Sequence, residues 1–286
     1  MIPAAGREAG LRAAAMLAPA YLWLTVAVFL PLSAMLFFSI VSAAPFTGAE
    51  WHVTAANYAE FLSRSIYPDL LGRSLILAGT VTLCCVLIGY PCAYVLARQI
   101  RGRTREALFL LIILPFWSNS LIRIFSWAIV LRGNGIIDHA LGAILPFEVS
   151  VNLMFSYPAV VIGLVHSYLP YVILTSYLAL QAIDESILEA ARSLGAPFRT
   201  ILLRLVLPLS LPGLAAGAVL IFVPVEGSFM EPRILGGRYG TFYGTLIEDQ
   251  FVTVFNWPLG AALSFILLAV VLVILAVVSP VLRRAR

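Results

Sequence analysis

The chain has 286 residues, of which 62% are hydrophobic and 11% charged, roughly half the charged fraction of a soluble domain. Its mean hydropathy is +1.00, so an ordinary globular protein is excluded and about six spans of ~20 residues fit the length. The net charge of +4 rests on eighteen arginines and no lysine. The missing lysine excludes a Walker A phosphate loop and a Schiff-base enzyme, and nothing points to nucleic acid.

Residues 1–12 are polar and carry Arg7 and Arg12. The apolar run over 13–41 exceeds the ~7–15 residues of a secretory signal core, so it reads as an uncleaved first span containing Pro19 and Pro31. Trp51, His52, Tyr58 and Tyr67 mark a loop over 42–72 with interface aromatics. A second span covers about 74–97, where Gly89-Tyr90-Pro91 predicts a kink. Its Cys84, Cys85 and Cys92 read as free buried thiols. Arg98, Arg101, Arg103 and Arg105 form a compact basic loop.

The third span, about 107–131, is interrupted by Pro115 and Ser118-Asn119-Ser120 and carries Arg123. A loop with Gly133, Asn134, Gly135 and Asp138 fills 132–156, and the fourth span, 157–180, holds His166 and Pro170. His52, His139 and His166 are scattered and make no metal motif. A polar, arginine-bearing segment of 182–208 follows. The fifth span starts near 209 and fades over 224–229. A loop with a Gly236-Gly237 turn covers 230–257, the sixth span 258–281, and the tail carries Arg283, Arg284 and Arg286.

Six spans put both termini on one side of the membrane. With the N-terminus inside, twelve arginines and five acids are cytoplasmic (net +7), against six arginines and nine acids outside (net −3). The positive-inside rule selects that orientation and places 182–208 in the cytoplasm.

The local chemistry of 182–208 predicts two short helices joined by a glycine elbow. Asp184 is a good N-cap with Glu185 in the first turn. Ile187, Leu188, Ala191 and Leu194 recur at helical spacing. Gly195 suits a left-handed helix end, Pro197 the first position of the next helix, and Pro208 its end. Small Ala190 and Ala191 admit a close neighbour, and one apolar edge with a tight bend suits a knob for another protein's groove.

The full spacing is Glu189-Ala190-Ala191, three residues, Gly195, nine residues, Leu205, Val206, Leu207, Pro208. It resembles the EAA loop of ABC importer permeases, the cytoplasmic segment that docks on the ATPase subunit, with Leu205 in place of the usual Ile. Further stretches resemble the permeases of polyamine (spermidine/putrescine) importers. These are Asn119–Arg123 with Trp127, Phe222-Val223-Pro224 leading to Leu235-Gly236-Gly237, and Asp249-Gln250-Phe251 with Asn256–Ala261. Importers of thiamine, iron and aminoethylphosphonate share much of this pattern. Relatives often carry an acid at the position of Ser228.

The resemblance implies an all-α, polytopic type I permease fold with six transmembrane helices. It divides the chain into an N-terminal segment with the first span and its periplasmic loop (1–68), a permease domain (69–281) and a cytoplasmic tail (282–286). It implies a second homologous permease, two ATPase subunits holding ATP and Mg, and a periplasmic solute-binding protein, all at a bacterial inner membrane. It assigns Asp184, Glu185, Glu189, Ala190, Ala191, Gly195, Leu205 and Pro208 to ATPase coupling. This chain itself then has no cofactor, no catalytic residue and no metal site.

Charged residues at membrane depth are costly and mark functional positions. Glu226 at the end of the fifth span and Arg123 in the third have two readings: a polar path for a cationic solute, or interface groups that pair or snorkel. Trp117, Trp127, Tyr168 and other aromatics either line that path through cation–π contacts or pack helices. Asp249, Glu231 and Glu248 read as cation-attracting, partner-docking or solvated outer acids. The resulting expectation is an importer permease for a small, polar, cationic solute such as a polyamine. Alternatives are another small solute (aminoethylphosphonate, thiamine, iron, an amino-acid-like compound), an ion-coupled secondary carrier, or a membrane enzyme.

Overall fold

The computed structural model describes residues 4–44, 48, 50–133, 135 and 153–284, with side chains between 16 and 277. Asn134, Asp138, His139 and Arg286 lie outside the described residues, as do the side chains of Arg7, Arg12, Arg283 and Arg284. The described residues are almost wholly helical, with one isolated antiparallel bridge between Val41 and Val53.

The helices are α1 (Ala4–Ser39), α2 (Ala56–Ser63), α3 (Ile66–Arg98), α4 (Gly102–Ile113), α5 (Ser120–Leu131), α6 (Tyr157–Gln181), α7 (Glu185–Ser193), α8 (Phe198–Ile201), α9 (Leu207–Glu226), α10 (Met230–Leu235), α11 (Tyr243–Val252) and α12 (Trp257–Arg284). Five stretches are long and apolar enough to cross a membrane: Met16–Ser39, Ile66–Arg98, Tyr157–Gln181, Phe198–Glu226 and Trp257–Val277. A sixth is the pair Gly102–Trp117 and Ser120–Leu131, bent by 98°. The break falls at Pro115 and Ser118-Asn119, as the sequence predicts, and Asn119 caps α5 by accepting from Leu121 N at 2.8 Å.

The chain divides into two compact units, residues 1–63 with 250–266, and residues 64–249 with 267–286. In the first, Asn57 Nδ2 donates to Ser39 O (3.1 Å) and Val41 O (2.9 Å), and Tyr58 donates to Ser39 Oγ (2.9 Å). The first of these satisfies the last carbonyl of α1, which the helix itself leaves open, and the other two fasten α2 to the residues around it.

The second unit is organised by α3, α6 and α9, which pack on one another. Leu77, Val81, Cys85, Leu164, Val172, Leu214 and Ile221 form its core. Lipid gives apolar helices no reason to associate, so close backbone approach must do so. Gly213 and Gly217 of α9 lie against Ala179 and Thr175 of α6, and Gly89 of α3 lies against Val172. α3 runs as one helix through Gly89-Tyr90-Pro91, so that glycine serves close approach to α6.

Two sequence expectations are corrected. Pro208 does not end a helix: Phe198–Glu226 is one continuous apolar stretch, with Pro208 just inside the start of α9. Over Leu202–Val206 the turn widens, and Leu207 N bonds Leu202 O, five residues back. The missing N–H of Pro208 therefore falls where the four-residue ladder has already been relaxed. The region 230–257 is not mere loop either, since it holds α10 and α11.

A methyl added at Gly217 would strike Thr175 Oγ1 and approach Val172 Cα to 3.3 Å, whereas Gly79 has nothing within 4 Å. Gly217→Ala is therefore expected to destabilise by ~1–3 kcal/mol through overpacking. Gly79→Ala should be neutral or stabilising by up to ~1 kcal/mol. Thermal unfolding of the two variants in one detergent checks the difference.

Candidate functional site

The segment between α6 and α9 is built by its termini. Asp184 Oδ1 accepts from Ser186 N at 3.0 Å and caps α7; the bonds to Ser186 hold its carboxyl below its ordinary range. At the other end Gly195 takes φ +79°. Ala196 N bonds Ala191 O (3.1 Å) and Gly195 N bonds Arg192 O (2.9 Å), the paired closure of a Schellman end that a side chain at Gly195 would strain. Pro197 stands one place earlier than predicted, as the cap of α8 with ψ 155°.

Leu188, Ala191 and Ile201 turn inward, while Glu189, Ala190, Ile187, Phe198 and Leu203 are exposed and Leu194 is 87% exposed. Leu205 is half-buried and Pro208 exposed. The result is a two-helix knob with an apolar outer edge.

A second constellation lies between α5, α6 and α10. Trp127 and His166 stack edge to face at 5.4 Å between ring centres. With Arg123, Ser118 and Ser126 they line a cavity of about 570 Å³. Arg123 Nη1 donates to Pro115 O at 2.8 Å, so the guanidinium closes the bend between α4 and α5. Tyr168 sits 6.1 Å from Tyr171, ring centre to ring centre.

Glu231 is buried on α10. Burial pushes its carboxyl above the ordinary carboxylate range, opposed by its own backbone N–H and by the Arg123 guanidinium. Glu226, the last residue of α9, is 1% exposed, and neither of its oxygens has a hydrogen-bond partner. A buried carboxylate without a donor is costly, so its retention demands an explanation.

Residues 86–285 match the family model described as "Binding-protein-dependent transport system inner membrane component". This chain belongs to that family. It is 36% identical over 245 residues to the spermidine/putrescine transport system permease protein PotB of Salmonella typhimurium strain SL1344, covering 86% of this chain and 85% of PotB. It is 35% identical over 245 residues to PotB of Escherichia coli K12, covering 86% and 88%. Among solved structures it resembles a chain of a bacterial alginate ABC transporter in complex with its alginate-bound periplasmic protein. That likeness has a TM-score of 0.79 at 16% identity, over 97% of this chain and 96% of the other, and bears on fold alone. The type I permease fold expected from the sequence is the fold observed.

As an inner membrane component of such a transport system, the chain gathers some of its sequence-predicted polar residues and separates others. Arg123 and Trp127 share the cavity, with His166 as a third member. Glu226 does not line it. Trp117 is 86% exposed. Asp249 pairs with Arg233 at 2.7 Å, and Glu248 binds the same guanidinium, fastening α10 to α11.

Glu231 is corrected from a solvated acid to a buried one. Gly163 on α6 has no side chain there, and a Cβ would press on Leu235 and lie 3.9 Å from Glu231 Cγ. Sequence reasoning also passed over Arg98, counted only as one of four loop arginines; its place as the last residue of an apolar helix was the available signal.

Removing the Arg123 head group takes the charged donor from Pro115 O and leaves it the bonds from Ser118 Oγ (2.8 Å) and Ser118 N (3.3 Å). Because the carbonyl keeps those donors, Arg123→Met should lower stability by only ~0.5–1.5 kcal/mol, while Trp117→Ala, at a highly exposed position, should cost less. Paired thermal unfolding measurements in detergent check the ordering.

Proposed function

We propose that this chain is a permease subunit of an ATP-driven ABC importer that carries a small organic polycation of the spermidine/putrescine class across the bacterial inner membrane. Both termini are cytoplasmic. A second homologous permease completes the path, a periplasmic solute-binding protein delivers the cargo, and the lipid bilayer surrounds the exposed apolar faces. Two ATPase subunits bind ATP and Mg and dock on the knob formed by Asp184, Glu185, Glu189, Ala190, Ala191, Gly195, Leu205 and Pro208.

The observation that carries the cationic reading is Glu226, a fully buried carboxylate with no protein donor. An ammonium group supplies the charge-assisted bonds it lacks. Spermidine and putrescine, after which the related transport systems are named, are the matching chemistry. Tyr168, Trp127 and the other aromatics of α5 and α6 offer π faces to the same kind of ligand. Arg123 serves the bend, and Asp249 works with Arg233 at the outer end.

The test is uptake of labelled spermidine and putrescine into proteoliposomes holding the whole complex. ATP-dependent uptake supports the reading, and ATP-driven transport of a different solute class with no polyamine uptake would sink its substrate half. Glu226→Gln should reduce uptake at least tenfold, the effect of losing a charged bond worth ~1.5–3 kcal/mol. Gly195→Leu should leave membrane insertion intact and cut uptake per ATP hydrolysed several-fold, because the strained elbow misplaces the knob. Normal coupled uptake by that variant would remove the knob from the mechanism.

A further inference from the structure

Arg98, the last residue of α3, is not a solvated loop charge. Its side chain is only 12% exposed. Nη1 donates to Glu185 Oε2 at 2.8 Å, and Nη2 donates to Leu180 O at 2.6 Å and Ile183 O at 2.8 Å. Leu180 belongs to the last turn of α6, Ile183 to the connector, and Glu185 opens α7. One guanidinium therefore ties three elements together.

The chemistry suits arginine in particular. The last carbonyls of α6 have no ladder partner, and a cation there meets the negative end of the helix dipole. The planar fork sends one nitrogen to a carboxylate and the other to two carbonyls, whereas lysine has a single nitrogen for all three. Beneath the fork, Ala93 and Leu96 of α3 pack with Tyr177, Leu180, Ile183, Leu188 and Ala191. The other cation near Glu185 is Arg192, at 3.5 Å and 59% exposed, a weak partner by comparison.

We propose that Arg98 is a positioning residue that makes the cytoplasmic ends of α3 and α6 and the knob helix α7 move as one body, so that force applied to the knob reaches the spans. The role rests on the importer reading above.

Uptake and ATP hydrolysis are measured on the same vesicles for the whole complex with Arg98→Met, Arg98→Lys and Glu185→Gln. The expected result for Arg98→Met is near-normal hydrolysis with uptake per ATP down about tenfold. Arg98→Lys recovers part of that loss, and Glu185→Gln, which keeps both carbonyl bonds, loses only about two- to threefold. An unchanged ratio in Arg98→Met overturns the proposal. Should Arg98→Met fail to insert, Glu185→Gln decides alone, and an unchanged ratio there overturns it as well. A wild-type complex that hydrolyses ATP without importing anything overturns the importer reading instead. The positioning role is then read from hydrogen exchange of residues 185–193 in the same vesicles, about tenfold faster in Arg98→Met if it holds and unchanged if it does not.

Discussion

Inside a bilayer every backbone N–H and C=O must find its partner within the protein, and most of this chain obeys by being helix. At three of the places where the second unit departs from regular α-helix, polar side chains meet backbone carbonyls. At the bend between α4 and α5, Arg123 donates to Pro115 O. At the widened turn before α9, Ser210 Oγ donates to Val206 O at 2.7 Å, and Tyr90 supports Ser210 from α3 at 2.8 Å. Where α6 gives way to α7, Arg98 takes Leu180 O and Ile183 O. Pro115 O and Leu180 O also accept from nearby groups, Ser118 Oγ at 2.8 Å and Ile183 N at 3.3 Å, so these side chains add to partly satisfied carbonyls. Polar residues in a greasy chain thus mark breaks in the ladder before they mark a path for cargo.

The second of those repairs has a mechanical consequence. Because the widened turn absorbs Pro208, α8 runs into the fifth span, and the knob bends at Gly195 instead. Phe198–Glu226 is a single stretch of 29 residues, about 40 Å long at ~1.5 Å per residue. One end carries the exposed Phe198 and Leu203, and the other end is Glu226. Under the proposed importer reading, a displacement at the knob would be passed along this continuous stretch to Glu226. Gly213 and Gly217, midway along, hold that stretch close against Ala179 and Thr175 of α6.

What could be read from the sequence was what is local. The cap at Asp184, the left-handed Gly195, the break near Pro115 and the limits of α6 each follow from residues a few positions apart, and all are present. The helix ending expected at Pro208 failed because the wide turn is a backbone adjustment supported by Ser210 and Tyr90, 120 residues apart in sequence. Arg98 was missed for a similar reason, since its partners lie 82 to 87 residues away. Glu231 looked like a loop acid because no rule of spacing reveals that Gly163 leaves room for α10 against α6.

The charge pattern at depth also limits how cargo is held. Arg123 has a backbone acceptor and lies within the field of Glu231, so its charge is partly compensated inside the protein. Glu226 alone among the described carboxylates is buried with both oxygens unpartnered. A polycation passing this point would find one carboxylate rather than a full complement of counter-charges. Passage through a membrane requires binding strong enough to enter and weak enough to leave. A single desolvated acid meets that requirement: it selects for positive charge, yet leaves the rest of the cargo unsatisfied. Under the proposed importer reading, high affinity would be the task of the binding protein, and the permease would need only a brief, charge-selective contact at Glu226.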